Sequence, residues 1–450
     1  MLGKKPENPQ GELFRSRLDQ IISPQHELAV LAHQIDWDWI EQELSVYYSD
    51  KGRPSVAIRT MVGMLLLKQL YNQGDETVLQ RWMENPYWQY FTGESYFQHR
   101  PPFDPTDFVY FRRRVGEAGM EKVLSLTVKL HQGAQQESVV QIDTTVQEKN
   151  ITFPTDAKLQ QRIIAYLWWI ADQEGIRLRQ SYRRVLKKLR LQMHNGHHPR
   201  RFKQARKARK KVKTICGRLL RDVCRKLTSS QLEYYQPWFD LYQRVLDQKK
   251  NDKNKIYSLH EPQVYCIAKG KAHKKYEFGC KVAIVRNEKS GVITGMKSFA
   301  TNVYDGHALE GALEQCQRIR DDIGGCRPLV AVVDRGCKGH KNISGTQILI
   351  PQKPTKKMTA YKRRQLRKHF RARAGIEAVI GHLKNDHRML RNFLSGEVGD
   401  AINALLAGAA FNLKKKLNIL RMEYFLPLLN IIFFWPSYSK MEKTDKLMPF

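Results

Sequence analysis

From about residue 17 to 120, apolar residues recur at the spacing of amphipathic helices, in HELAVLAHQIDWDWIEQELSVYY and again in VAIRTMVGMLLLKQLYNQGDETVLQRWMENPYWQYF. Gly52, Pro54 and Pro86 punctuate these runs, and the pattern predicts an all-helical region. In the following stretch, DPTDFVYFRRRVGEAGMEKVLSLTVKLH, Asp104 or Thr106 is placed to start a helix. That short helix carries Arg112, Arg113 and Arg114 either toward a phosphate backbone or toward plain solvent.

The texture then changes. SVVQIDTT (138–145) is short and β-branched, and it predicts a buried strand that delivers Asp143 at or near its end. Residues 158–250 return to a helical pattern, apolar in RIIAYLWWIA and strongly basic afterwards. Strand-like pieces follow at 263–270, 276–286 and 291–300, then a helix over HALEGALEQCQRIRDDI, then strands at 328–334 and 346–352 and a long helix. This order predicts an α/β core with helices against a mixed sheet. A dinucleotide-binding reading fails for want of a GxGxxG turn after an early strand. The expected organisation is a helical N-terminal domain (1–125), a first part of the core (126–157), a basic helical insertion (158–255), the rest of the core (256–415) and a C-terminal tail (416–450).

Charge narrows the possible partners. Lys and Arg number 77 against 44 Asp and Glu, a formal charge of +33, which favours an extended anion. Nucleic acid is the first candidate, ahead of an anionic membrane surface or a merely solubilising halo. Residues 181–220 hold fifteen Lys or Arg and no acid, and a one-signed block of this kind repels itself unless it is solvated or laid on phosphates. Arg201, Lys203, Arg206, Lys207, Arg209, Lys210, Lys211 and Lys213 are therefore candidate DNA contacts. They are spread without an obvious repeated face, which predicts grip on the backbone rather than reading of bases. Seven cysteines form no CxxC pair, and their odd count fits a reducing cytoplasm. The N-terminal residues lack a signal-peptide core, MVGMLLL (61–67) is too short to span a bilayer, and FLPLLNIIFFW (425–435) contains Pro427 and Asn430. No stable membrane partner is expected.

Two aspartates share one design: Asp143 in VVQIDTT and Asp334 in LVAVVDRG each follow an apolar run. Side by side, two such carboxylates repel unless a cation lies between them, and oxygen-only ligands favour Mg²⁺ or Mn²⁺. A third acid, Glu377, sits in GIEAVIGHLKN just after the basic run YKRRQLRKHFRARA. Phe370, Arg373, Gly381 and Lys384 fall with it on one helical face. An Arg and a Glu four residues apart occur on ordinary helices too. An acid and a glycine flanked by cations fit a carboxylate that closes a metal site, with Arg373 and Lys384 holding phosphate beside it. The chemistry expected of such a set is phosphoryl transfer assisted by two divalent ions.

With these residues assembled, the chain resembles the DDE transposases of bacterial insertion sequences, particularly the insertion-sequence-five group and its insertion-sequence-four relatives. That family carries Tyr, two residues, Arg, three residues, Glu, six residues, Lys around its catalytic glutamate; here Phe370, Arg373, Glu377 and Lys384 stand at that spacing, with Phe in place of Tyr. The resemblance covers about 30–415, and the basic segment after Asp143 departs from it. It implies a ribonuclease-H-like core with Asp143, Asp334 and Glu377 as catalytic metal ligands, Mg²⁺ as cofactor with Mn²⁺ able to substitute, and Asp305 as a neighbour of the site. It also implies cleavage at insertion-sequence ends and strand transfer, with terminal inverted repeats and target DNA as double-stranded partners. A homodimer on paired ends, in the cytoplasm with bacterial DNA, follows from the same resemblance. The alternatives are a nuclease with the same core that does not join strands, and a non-enzymatic basic nucleic-acid-binding protein.

Overall fold

A computed structural model describes residues 1–3, 15–268 except 50, 53, 195, 197 and 250, 275–351 except 340, and 358–438, with backbone alone from 424. Eight strands are present among these residues: β1 (Val139–Lys149), β2 (Tyr265–Ala268), β3 (Tyr276–Asn287), β4 (Ile293–Phe299), β5 (Val330–Val332), β6 (Asn342–Ile343), β7 (Thr346–Leu349) and β8 (Arg391–Asn392). The chain divides into two compact units, residues 1–148 with 280–450, and residues 149–279.

In the first unit the strands run in the order β3-β1-β5-β7-β6, with β4 paired to β3 and β8 to β1. β1, β5 and β7 are parallel, whereas β4 and β6 are antiparallel to their neighbours, so the sheet is mixed. Along β3 the side chains alternate between two cores. Cys280, Val282 and Ile284 pack with the N-terminal helices and the helix Gly396–Tyr438, while Ala283 and Val285 join Val140, Ile142, Ala331 and the helix Asp305–Asp321 on the other face. Both faces of the sheet are thus covered by helices, which is why β3, β5 and the start of β1 read as apolar runs.

The expected extent of the first strand is corrected. The strand begun at 138–145 continues to Lys149, so Asp143 lies in its middle rather than at its end. The polar second half is tolerated because Gln147 is fully bonded: its Nε2 donates to the Asp400 carbonyl at 3.0 Å, and its Oε1 accepts from Asn403 at 2.8 Å. The N-terminal helices pack into the same compact unit as the sheet. One helix, Gly396–Tyr438, runs through residue 415.

The second unit is wider than the expected 158–255 insertion. Its helices Asp156–Gln173, Arg183–Met193, Pro199–Cys224 and Ser229–Asp247 enclose a separate core that includes Ile163, Leu167, Val212, Ile215, Leu219, Phe239 and Val245. β2 pairs with the first residues of β3 at its end.

Candidate active site

The parallel pairing of β1 with β5 matches Val139 to Val330, Val140 to Ala331 and Gln141 to Val332. Continuing that register by two residues sets Asp143 opposite Asp334. Both aspartates therefore follow from the same strand alignment, at the carboxyl end of β5, where parallel sheets expose their working edge. Asp334 sits in the turn beyond the strand; its Oδ1 accepts from the Arg335 amide at 2.7 Å. Asp143 Oδ1 accepts from the Thr144 amide at 2.8 Å.

Arg373 joins the two. Its Nη2 donates to Asp143 Oδ2 at 3.0 Å and its Nη1 lies 3.8 Å from Asp334 Oδ1. The Asp143 side chain is 21% exposed and that of Asp334 58%, so the pair grades from protein interior to open solvent. Burial pushes the Asp143 carboxyl above its usual range; Arg373 opposes this, and the nearby Asp334 and Asp305 add to it.

A second layer holds the aspartates. Thr144 Oγ1 donates to Asp305 Oδ1 at 2.7 Å, and the same oxygen pairs with Lys281 Nζ at 2.6 Å. Tyr304 donates its hydroxyl to the Gly336 carbonyl at 2.6 Å and accepts from the Lys338 amide at 3.1 Å, which pins the loop after Asp334. Gly306 permits this packing, because a Cβ there would lie 2.8 Å from the Tyr304 ring and 3.0 Å from the Lys338 carbonyl oxygen. Cys337 is buried in this loop and its thiol is pushed up to about 11, first by burial and then by the carboxylates. Thr144, Lys281 and Tyr304 were not read from the sequence as site residues. Lys281, a charge inside the apolar run of β3, was the available signal.

Glu377 is carried by a separate helix. It is exposed in the first turn of the helix Gly375–Asn385, whose Ile376, Val379 and Leu383 are buried. Among the described residues no group of three His, Cys, Asp or Glu side chains is close enough to hold a metal ion. The face counted from Phe370 to Lys384 also crosses a boundary, since the basic run forms its own helix, Ala360–Arg373, and Ala374 separates it from the next. Lys384 is half-buried in the second helix, and Arg373, expected on phosphate, faces the aspartates instead. The carboxylates of Asp143 and Asp334, with burial disfavouring a lone charge on Asp143, suit a hard divalent cation in donor chemistry.

Two further expectations about cations change. Arg112 is buried and makes a two-pronged bond to Asp75 at 3.1 and 2.7 Å, which removes it from any phosphate contact. On the helix Pro199–Cys224 the cations do have a pattern: Ala205, Ala208, Val212, Ile215 and Leu219 are buried, while Arg201, Lys203, Arg206, Lys207, Arg209, Lys210, Lys211 and Lys213 flank that stripe in solvent. Arg209, Lys210 and Lys213 line a cleft of about 1010 Å³ with Arg190 and the start of the helix Asp156–Gln173. No helix among the described residues is long and apolar enough to cross a membrane.

Residues 248–413 match the family model described as Transposase DDE domain, and residues 16–114 match one described as Transposase domain. The chain belongs to the DDE transposase family. It is also 40% identical over 207 residues to an uncharacterized protein, ORF8 in the nfe locus of Rhizobium meliloti, covering 45% of this chain and 100% of that protein. No solved structure matches it significantly.

Proposed function

We propose that this transposase, related to the insertion-sequence-five group, cleaves DNA at the ends of its element and joins the freed 3′ ends to target DNA, using a ribonuclease-H-like core. The observation that carries this reading is the register-matched pair Asp143 and Asp334, bridged by Arg373. Asp143 and Asp334 are the residues that would hold Mg²⁺, or Mn²⁺ in its place, with Glu377 as third ligand. When bound, such ions activate a water or a 3′-hydroxyl and stabilise the leaving oxygen. The chain's own residues set the stage for this. Thr144, Asp305 and Lys281 fix the backbone around Asp143, and Tyr304 fixes the loop that carries Asp334. Arg373 balances the carboxylates, and Lys384 holds a DNA phosphate on the following helix.

The test is cleavage and joining of a DNA duplex carrying the element's terminal repeats. Asp143→Asn, Asp334→Asn and Glu377→Gln should each lower cleavage by at least about 100-fold. DNA affinity should be largely kept, because it is spread over many phosphate contacts. Near wild-type cleavage by Asp334→Asn would remove that residue from the site. Cleaved but unjoined products from the wild-type protein would make it a nuclease, and binding without any cleavage would make it an architectural protein.

A further inference from the structure

The second unit carries a feature that the cleavage chemistry does not use. Four large aromatic side chains stand in solvent close together: Tyr166 is 44% exposed, Trp169 55%, Tyr234 66% and Trp238 45%. They wall a pocket of about 350 Å³, within the range of about 300–1,000 Å³ typical of small-ligand sites. Its floor is rigid. Tyr235, Tyr242 and Ile170 are buried there, and the Tyr235 hydroxyl donates to Glu174 Oε1 at 2.6 Å. At the rim, Ser258 Oγ engages His260 Nδ1 at 2.9 Å and leaves Nε2 as the second polar atom of the ring. Tyr166 stacks on Tyr242 at 6.4 Å and Tyr234 lies 5.5 Å from Trp238, yet all four rings keep a large share of their surface in water.

The surroundings identify the occupant. Residues 149–279 hold 32 Lys or Arg and 10 Asp or Glu, so this unit carries +22 of the chain's +33. The basic cleft of Arg190, Arg209, Lys210 and Lys213 includes Lys158 and Leu159 of the helix Asp156–Gln173. Trp169 lies three turns beyond Lys158, and Tyr166 two turns beyond Leu159, on matching sides of that one helix. Cations that hold phosphates and flat apolar rings that accept bases are the two components of single-strand recognition. An apolar protein segment suits the rings but not the charge, and an intact duplex suits the charge but offers the rings no free base face.

We propose that the pocket walled by Tyr166, Trp169, Tyr234 and Trp238 binds a base of unpaired DNA by stacking, while the basic cleft along the same helix holds phosphates further along the same strand. This rests on the reading of the chain as an enzyme of DNA, but not on its metal site. The experiment measures full-length protein binding to an oligothymidylate strand and to a blunt duplex of random sequence, by fluorescence anisotropy and by quenching of tryptophan emission. Trp169→Ala and Trp238→Ala should each weaken single-strand binding by about 5- to 150-fold, the value of one base–aromatic stack, with little change on the duplex. Trp238→Phe keeps a ring and should retain most of the affinity, which separates stacking from a packing defect. Equal losses on strand and duplex, or none on either, would overturn the proposal. So would conversion of a wild-type dimer to monomer by Trp238→Ala in sedimentation, since the pocket would then seat a second copy. Asp143→Asn should bind the single strand as the wild type does, so a failure of the cleavage reading and a failure of this one are separately visible.

Discussion

Asp75 shows how tightly single charges are committed in the first unit. It faces Lys68 Nζ at 2.6 Å as well as Arg112, and both cations are almost fully buried. Burial alone would raise the Asp75 carboxyl, but Lys68 and Arg112 outweigh it and hold the group down to about 2. Asp75→Asn leaves two cations without their counter-charge and should cost about 3–5 kcal/mol, measured by urea unfolding at neutral pH. The pH dependence has a definite sign. A depressed carboxyl contributes stability that is complete above its unfolded value of 3.8 and is lost as pH falls toward about 2, so the wild-type unfolding midpoint should drop across that window while Asp75→Asn drops less. This pairing was not legible beforehand, because a run of three arginines looks the same whether one of them points inward or all face solvent.

Among the elements, β4 is an edge of the sheet, and a helix closes it. Asn412 accepts from the Ile293 amide at 2.9 Å and donates to the Ile293 carbonyl at 2.9 Å, standing in for a neighbouring strand. Asn412→Leu keeps the bulk but strands both backbone groups, and it should cost at least about 2 kcal/mol in the same unfolding measurement. The strands themselves were largely legible: the apolar runs at 276–286, 291–300 and 328–334 correspond to β3, β4 and β5. The two-residue strands β6 and β8 were not, since so short a pairing leaves no periodicity. Asp143 on β1 and Asp334 just beyond the adjacent β5 were singled out because each follows an apolar run. Their bridge to Arg373 was not, because it joins residues 230 apart whose meeting depends on how two helices join at Ala374.

At the scale of the whole molecule, charge is distributed unevenly, and the salt dependence of DNA binding should report it. Replacing Arg209, Lys210 and Lys213 together by Gln should make the slope of log affinity against log salt shallower by about 0.9 for each duplex phosphate that is no longer neutralised. An unchanged slope would take these residues out of the phosphate path. The division into units also sets an order of events during synthesis. Residues 149–279 are contiguous and can close their core once that segment has left the ribosome. The first unit cannot, because β1 waits for β3 and β5, and the edge of β4 waits for Asn412. The basic unit is thus positioned to be complete on the nascent chain while the two aspartates are still far apart, so under the proposed function a polypeptide cut short before residue 330 is expected to bind nucleic acid without cutting it.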